Sequence, residues 1–284
     1  MISLEGLLRD ARSQLVNALS LEPNIAGLEA HVLLVHVLQK SRAYLLAHPE
    51  LKIDDASLAN FTALLNRRLT GEPIAYVLGQ REFYGLDFKV SPDVLIPRPE
   101  TELLVELALA LIPSNQSTRV LDLGTGSGAI ALTLAKLRPQ ALITAVDASP
   151  QALAIARQNA AQLNVHNVRF IESDWLEALD PSSHFDLIVS NPPYVAENDP
   201  HLQQGDVRFE PLQALQSGTD GLQDIRHIAQ ESLRFLAVNG HLLFEHGYNQ
   251  KDACAALLHA LAYSDIKCQR DLGGQDRVTS GKKS

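Results

Sequence analysis

Cysteine, tryptophan and methionine are scarce in this 284-residue chain, which has two cysteines, one tryptophan and one methionine. Cys254 and Cys268 fit no metal-ligand spacing, and a pair of thiols builds no disulfide framework. Both read as small core residues. Metal-binding clusters are missing too: His31, His36 and His48 sit at positions that pack or face solvent, so no metal is expected. No apolar run approaches the ~20 residues of a membrane span. The N-terminus lacks the long uncharged core of a signal peptide, so a cytoplasmic address and no membrane partner are expected. Positive charge is in deficit, 24 Lys and Arg against 33 Asp and Glu, for a net charge of −9. That removes any general attraction to nucleic acid or an anionic membrane and turns the search toward small molecules and proteins.

What remains is an ordinary globular composition, 46% apolar and 20% charged, long enough for two domains. Up to residue 70 the apolar residues recur at helical spacing. Leu4, Leu7, Leu8, Ala11, Leu15 and Leu19 mark one stripe, and Leu28, Val32, Val35 and Leu38 mark another. Shorter helices are expected over Ser41 to His48 and Leu58 to Leu69, with Ser57 capping the latter. Residues 1–70 thus read as a helical bundle, with the character of a recognition or docking module.

Residues 71–99 read as a β-hairpin linker, because Ala75 to Val90 is rich in β-branched and aromatic residues broken by Gly79 and Gly85. Ile96 to Thr101 then leads into a helix with Pro99 near its first turn. Over residues 100–284 strands and helices alternate, which predicts an α/β fold with a doubly wound, mostly parallel sheet. Its seven strands are expected at Arg119–Leu123, Leu142–Val146, Val168–Ile171, Phe185–Ser190, His241–Phe244 and near 265–269 and 277–280.

In such a sheet, ligands bind beyond the carboxyl ends of the strands. Gly124-Thr125-Gly126-Ser127-Gly128 follows the first strand, and glycines there allow a backbone to approach a ligand closely. Asp147 ends the second strand, where a carboxylate can take both hydroxyls of a ribose. These features predict nucleotide-type binding and fit a dinucleotide fingerprint as well as S-adenosylmethionine. Asn191-Pro192-Pro193-Tyr194, after the fourth strand, decides between them. An amide nitrogen is a poor nucleophile because its lone pair is delocalised into the carbonyl. Two acceptors, the Asn191 side-chain oxygen and the Pro192 carbonyl, would bind both N–H groups, draw the nitrogen toward tetrahedral geometry and aim its lone pair at a sulfonium methyl group. The two prolines stiffen this backbone, and Tyr194 offers a flat face for a planar amide or base. Asn191, Pro192 and Tyr194 are therefore the catalytic candidates, and all four residues are substrate-binding candidates. In isolation Asn-Pro-Pro reads as a strand-ending turn; its place opposite a glycine loop favours the functional reading.

The chain resembles the release factor glutamine methyltransferase family, PrmC/HemK, among class I Rossmann-like S-adenosylmethionine-dependent methyltransferases. The resemblance rests on Gly71-Glu-Pro-Ile-Ala75, Arg81-Glu-Phe83, Leu95-Ile-Pro-Arg-Pro-Glu-Thr-Glu102, Asp122 to Ile130, Ser173-Asp174-Trp175 and Val189 to Tyr194. Asp199 to Pro211, Glu245-His-Gly247 and Asp271 to Val278 complete it. The resemblance implies methyl transfer to the side-chain amide of the glutamine in the Gly-Gly-Gln motif of peptide chain release factors, its protein partners. By position it implies that Gly124 to Gly128 line the methionine end of the cofactor, Asp147 its ribose, and Asp174 and Trp175 its adenine. Asn191 would lie beside the methyl group, and Arg98, Glu100 and Thr101 would close the cofactor pocket. His246 reads as structural rather than as a base. Gly273-Gly274-Gln275 repeats the substrate motif by coincidence, in a hairpin turn. The alternatives are a glutamine methyltransferase acting on a ribosomal protein, a nucleic-acid adenine methyltransferase, which acidic composition disfavours, and a cofactor sensor, which has no use for Asn191 and Tyr194.

Overall fold

The computed structural model describes residues 2–284, and the chain divides into two compact units at Gly79 and Gln80. The first is all helical: α1 (Leu4–Leu19), α2 (Pro23–Leu38), α3 (Arg42–Ala47), α4 (Asp55–Leu69) and α5 (Ile74–Leu78). Ser3, Ser41 and Asp54 cap α1, α3 and α4, each side chain accepting a backbone N–H of the first turn. The cap of α4 is thus Asp54 rather than Ser57, whose own N–H it accepts at 2.8 Å. The α1 stripe buries Leu4, Leu7, Ala11 and Leu15. In α2 the buried residues are Ala26, Ala30, Leu33 and Leu34, while Leu28 of the expected stripe is exposed. This helix is apolar on nearly every side, so periodicity does not select its face; the small alanines permit the closest packing. Arg68, buried in α4, forms an ion pair with Glu29 of α2 at 2.8 Å, so the charge enters the core with its partner.

Ala75 to Leu78, expected as strand, is helical, because Pro73 starts the turn and Gly79, at φ +71°, ends it. The hairpin itself opens the second unit: β1 (Gln80–Phe83) pairs antiparallel with β2 (Leu86–Lys89). After it, Pro99–Thr101 forms a single 3-10 turn and α6 begins only at Glu102, running to Leu111.

The strands β3 (Arg119–Leu123), β4 (Leu142–Asp147), β5 (Val168–Glu172), β6 (Phe185–Ser190), β7 (Leu236–Glu245), β8 (Ser264–Arg270) and β9 (Asp276–Lys282) form one sheet in the order β5-β4-β3-β6-β7-β9-β8. The first five are parallel, and β9 is antiparallel to both its neighbours. Alternate residues supply the two cores. Val120, Leu187 and Val189 face α6, α7 (Ala129–Leu137) and α8 (Pro150–Gln162); Leu121, Leu123 and Ile188 face α9 (Gln223–Phe235) and α10 (Lys251–Ala260). Cys254 is buried in the latter core and Cys268 is half-buried; both are free thiols. Among the described residues no helix is long and apolar enough to cross a membrane.

Candidate active site

The sheet brings the two loops together. β3 and β6 are parallel neighbours with Leu123 opposite Ser190, so Gly124 and Asn191 leave the sheet side by side. Ser190 Oγ reinforces this by donating to the Leu123 carbonyl at 2.8 Å.

On the β3 side, the amides of Gly124 and Thr125 both donate to the Val146 carbonyl, at 3.0 and 2.9 Å. That turns the chain back across the end of β4. Asp147 then accepts the Gly126 amide at 2.8 Å on one carboxylate oxygen and the Ser149 amide at 2.9 Å on the other. Burial pushes the Asp147 carboxyl upward while those two amides hold it down. Gly126 has φ +55° and lines a cavity of about 330 Å³, and an added Cβ would meet no described protein atom within 4 Å. The cradle is therefore shaped for a ligand's contact with backbone. Trp175 forms another wall. Its backbone is left-handed, φ +45°, which is strained for an aromatic residue. Its indole N–H donates to Asp224 Oδ1 at 3.2 Å, and its ring lies against Gly124, where a Cβ would come within 3.3 Å.

On the β6 side, Pro192 and Pro193 are buried and Asn191 is half-buried. The Asn191 Nδ2 donates to Thr101 Oγ1 at 3.1 Å, and Thr101 Oγ1 donates to Glu245 Oε2 at 2.7 Å. Tyr194 donates its hydroxyl to Glu245 Oε1 at 3.2 Å. The Tyr194 carbonyl accepts from Gln250 Nε2 at 3.1 Å, so both ends of this residue are held. Burial pushes the Glu245 carboxyl up to about 7, against the donated bonds and the Arg277 charge. Burial and the Glu245 charge keep the Tyr194 phenol protonated. A second cavity of about 220 Å³ adjoins, lined by Arg98, Pro192, Tyr194, His201 and Leu202. Asn191 lines both cavities, with Leu95 and Ala214.

Of the residues expected at a cofactor, Gly124, Gly126, Asp147, Asp174, Trp175 and Asn191 line the larger cavity. Thr125 and Ser127 lie behind its wall: Thr125 Oγ1 donates to Asp122 Oδ2 at 2.6 Å, and the Ser127 carbonyl accepts from Asn159. Gly128, at φ +83°, caps α7 and lies under Leu132 and Ala156. Pro193 faces the larger cavity, Pro192 and Tyr194 the smaller.

The segment 98–101, expected to close a cofactor pocket, does not line the larger cavity. Arg98 turns to the smaller cavity and pairs with the buried carboxylate of Glu210, and Thr101 is buried behind Asn191. Asp93, Val94 and Leu95 take that wall, because Glu210 Oε2 accepts the Ile96 amide at 3.0 Å and anchors the chain there. His246 is fully buried, with Nδ1 at 2.9 Å from the Gly247 carbonyl and Nε2 at 2.8 Å from Thr279 Oγ1. His246 lines neither of the two cavities. Gly273 to Gln275 are exposed in the β8–β9 turn, where Asp271 Oδ1 accepts the Gln275 amide at 2.9 Å. Among the described residues no cluster of His, Cys, Asp or Glu has the geometry of a metal site.

Sequence reasoning missed Asp122, Asn159, Asp224 and Glu245 as parts of this site. Asp122, buried beneath the glycine loop, has a carboxyl pushed up to about 7 by burial, and its Oδ1 has no hydrogen-bond partner among the described residues. Asn159 exchanges two hydrogen bonds with the Lys89 backbone and a third with Ser127, tying the hairpin to the loop. A charged residue inside an apolar strand, as at Asp122 and Glu245, was the signal available.

The comparisons with known proteins agree with this geometry. Residues 6–79 match the PrmC N-terminal domain and residues 100–209 the Methyltransferase small domain. The release factor glutamine methyltransferase of Vibrio cholerae is 49% identical over 284 residues, spanning 99% of this chain and 97% of its own length. That of Escherichia coli K12 is 49% identical over 254 residues, spanning 89% of this chain and 91% of its own length. A methyltransferase from Pyrococcus furiosus superposes with a TM-score of 0.55 at 18% identity, covering 78% of this chain and 99% of that one. A 16S rRNA methyltransferase from T. thermophilus, bound to AdoMet and guanosine, gives a TM-score of 0.53 at 20% identity over 72% of this chain and 50% of that one. Those two likenesses are of fold. The near-full-length identities go further: with its glycine loop, paired cavities and Asn-Pro-Pro-Tyr turn, this chain belongs to the release factor glutamine methyltransferase family.

Proposed function

We propose that this protein methylates the side-chain amide nitrogen of a glutamine, that of the Gly-Gly-Gln motif, in peptide chain release factors. S-adenosylmethionine is the cofactor, and when bound it supplies an electrophilic methyl group on a sulfonium. One observation carries the reading: Asn191 is shared by two adjoining cavities, one built as a nucleotide cradle and the other walled by Pro192 and Tyr194. A donor and an acceptor held in those cavities meet at a single polar side chain.

The residues divide the work. Gly124 and Gly126 of the loop hold the methionine end through backbone, Asp147 the ribose hydroxyls, and Asp174 and Trp175 the adenine. Both Asp147 oxygens accept an amide yet retain free lone pairs for hydroxyl groups. Because Thr101 holds the Asn191 Nδ2, the Oδ1 is the end left to accept from substrate. Asn191 Oδ1 and the Pro192 carbonyl take the two N–H groups of the substrate amide, while the Tyr194 ring supports its plane. Near-attack positioning of this kind is worth roughly 7–11 kcal/mol. No dedicated base is required, since the nitrogen becomes acidic only as it gains its methyl group.

The helical unit, ending at Gly79, recognises the protein substrate, and the unit from Gln80 onward catalyses. The acidic chain takes no nucleic acid partner and works in the cytoplasm beside its substrate. Parallel assays of labelled methyl transfer to a release factor, to ribosomal proteins and to DNA test this reading. Label is expected in the release factor alone; label confined to ribosomal protein or DNA would refute it.

A further inference from the structure

Glu245 lines neither cavity, yet this buried carboxylate holds both ends of the Asn-Pro-Pro-Tyr turn. One oxygen accepts the Tyr194 hydroxyl and the other accepts the Thr101 hydroxyl. An ionised carboxylate has no hydrogen to give, so Thr101 must donate to it. A threonine hydroxyl has one hydrogen. Once that is committed to Glu245, Thr101 Oγ1 can only accept from Asn191, 3.1 Å away.

The consequence falls on the amide. Its oxygen and NH2 ends are nearly equal in size, so packing does not choose between them and hydrogen-bond partners do. We propose that Thr101 and Glu245 are positioning residues, a buried chain of acceptors that turns the Asn191 NH2 inward and so presents its oxygen to the substrate nitrogen. The inference rests on the role given above to Asn191. Reversed, the amide would set its own N–H groups against those of the substrate, donor to donor.

The surroundings of Glu245 leave it to this task. Arg277 of β9 contributes positive charge, but its guanidinium bonds Asp271 and the His246 carbonyl. Glu100, in the turn before α6, adds negative charge, and the neighbouring His246 ring is turned to Thr279. A protonated Glu245 would itself donate to Thr101, and the direction of the chain would no longer be fixed. Turnover therefore has an acid limb that reports this carboxyl.

The test compares Thr101→Val, Thr101→Ser, Glu245→Gln and Asn191→Ala in the full-length enzyme. Readouts are kcat with release factor, its pH profile, and the Kd for S-adenosylhomocysteine. Thr101→Val is expected to lower kcat about ten- to hundredfold, the range for a misdirected hydrogen bond, with Kd within about threefold of wild type. Thr101→Ser keeps the hydroxyl and is expected to restore kcat to within about threefold. Glu245→Gln is expected to lower kcat similarly and to abolish the acid limb. If Asn191→Ala is crippled while Thr101→Val and Glu245→Gln turn over like wild type, this inference fails and the reading of Asn191 stands. Near-normal turnover by Asn191→Ala would sink both. Equal impairment of the Ser and Val variants would show that the hydroxyl's direction is irrelevant and overturn the proposal. Should Thr101→Val fail to fold, Glu245→Gln decides, and an unchanged kcat and pH profile there would overturn it.

Discussion

Gly221 lies so close beneath Tyr194 that a Cβ on it would overlap the Tyr194 carbonyl oxygen. Its φ of +73° would strain any side chain as well. Because Gln250 bonds both carbonyls, Gly221→Ala is expected to displace the backbone that carries Asn191 and Tyr194. A shift on the order of 1 Å in a positioning element costs up to about a hundredfold in rate. Gly221→Ala should therefore lower kcat by tenfold or more, roughly, with affinity for S-adenosylhomocysteine retained. Single-turnover assays and calorimetry on one preparation check this.

Asp147 shapes the glycine loop and faces the larger cavity. Asp147→Ala removes the Gly126 anchor together with the proposed ribose acceptor. Affinity for S-adenosylhomocysteine is expected to fall about ten- to hundredfold, the range for charged hydrogen bonds. Turnover at saturating cofactor should recover most of its wild-type value. Unaltered affinity by calorimetry would exclude Asp147 from the cofactor site.

Stability and activity should respond to pH in opposite directions. The Glu245 carboxyl rises from 4.5 when solvated to about 7 in the fold, through burial. Asp122 rises from 3.8 to about 7 for the same reason. Between those limits the folded chain binds more protons than the unfolded one, so these groups stabilise fully below the unfolded values and lose that stabilisation as pH rises through 7. Their share of stability thus declines from acid to neutral pH, while turnover is expected to increase if, as proposed, it needs the Glu245 carboxylate. Glu245→Gln should match wild-type Tm near pH 5 and exceed it near pH 8, roughly bracketing the titration. A Tm difference that does not change with pH would contradict the assignment.

The fold was legible where local backbone chemistry demands particular residues. Glycines at positive φ, an aspartate ending β4 and the Asn-Pro-Pro-Tyr turn pointed to the loops that line the two cavities, and alternating strands and helices declared the sheet. Other features are set by partners remote in the chain. Thr101 meets Glu245 across 144 positions and Asn191 across 90, and Asn159 reaches Lys89 across 70. No spacing rule encodes such pairs. Propensity misled over Ala75 to Leu78, where Pro73 and Gly79 outweigh the β-branched side chain, and in α2, where apolar residues all round concealed the buried face.

The first unit has its own core, including Leu15, Leu33 and Phe61, and the second has two cores on its sheet. A chain beginning at Gln80 is therefore expected to fold and bind S-adenosylhomocysteine with near-normal affinity. If residues 1–70 recognise the protein substrate, transfer to release factor should fall at least about a hundredfold, chiefly through KM. Unimpaired transfer by the truncated chain would show that the helical unit does not recognise substrate.

The role of the Asn191 oxygen is tested most directly by turnover of Asn191→Ala at saturating cofactor and release factor, with S-adenosylhomocysteine affinity measured in parallel. A kcat lower by about a hundredfold or more, with affinity unchanged within about threefold, is the expected result. Turnover close to wild type would contradict the account, because the Asn191 oxygen would then be dispensable for orienting the substrate nitrogen.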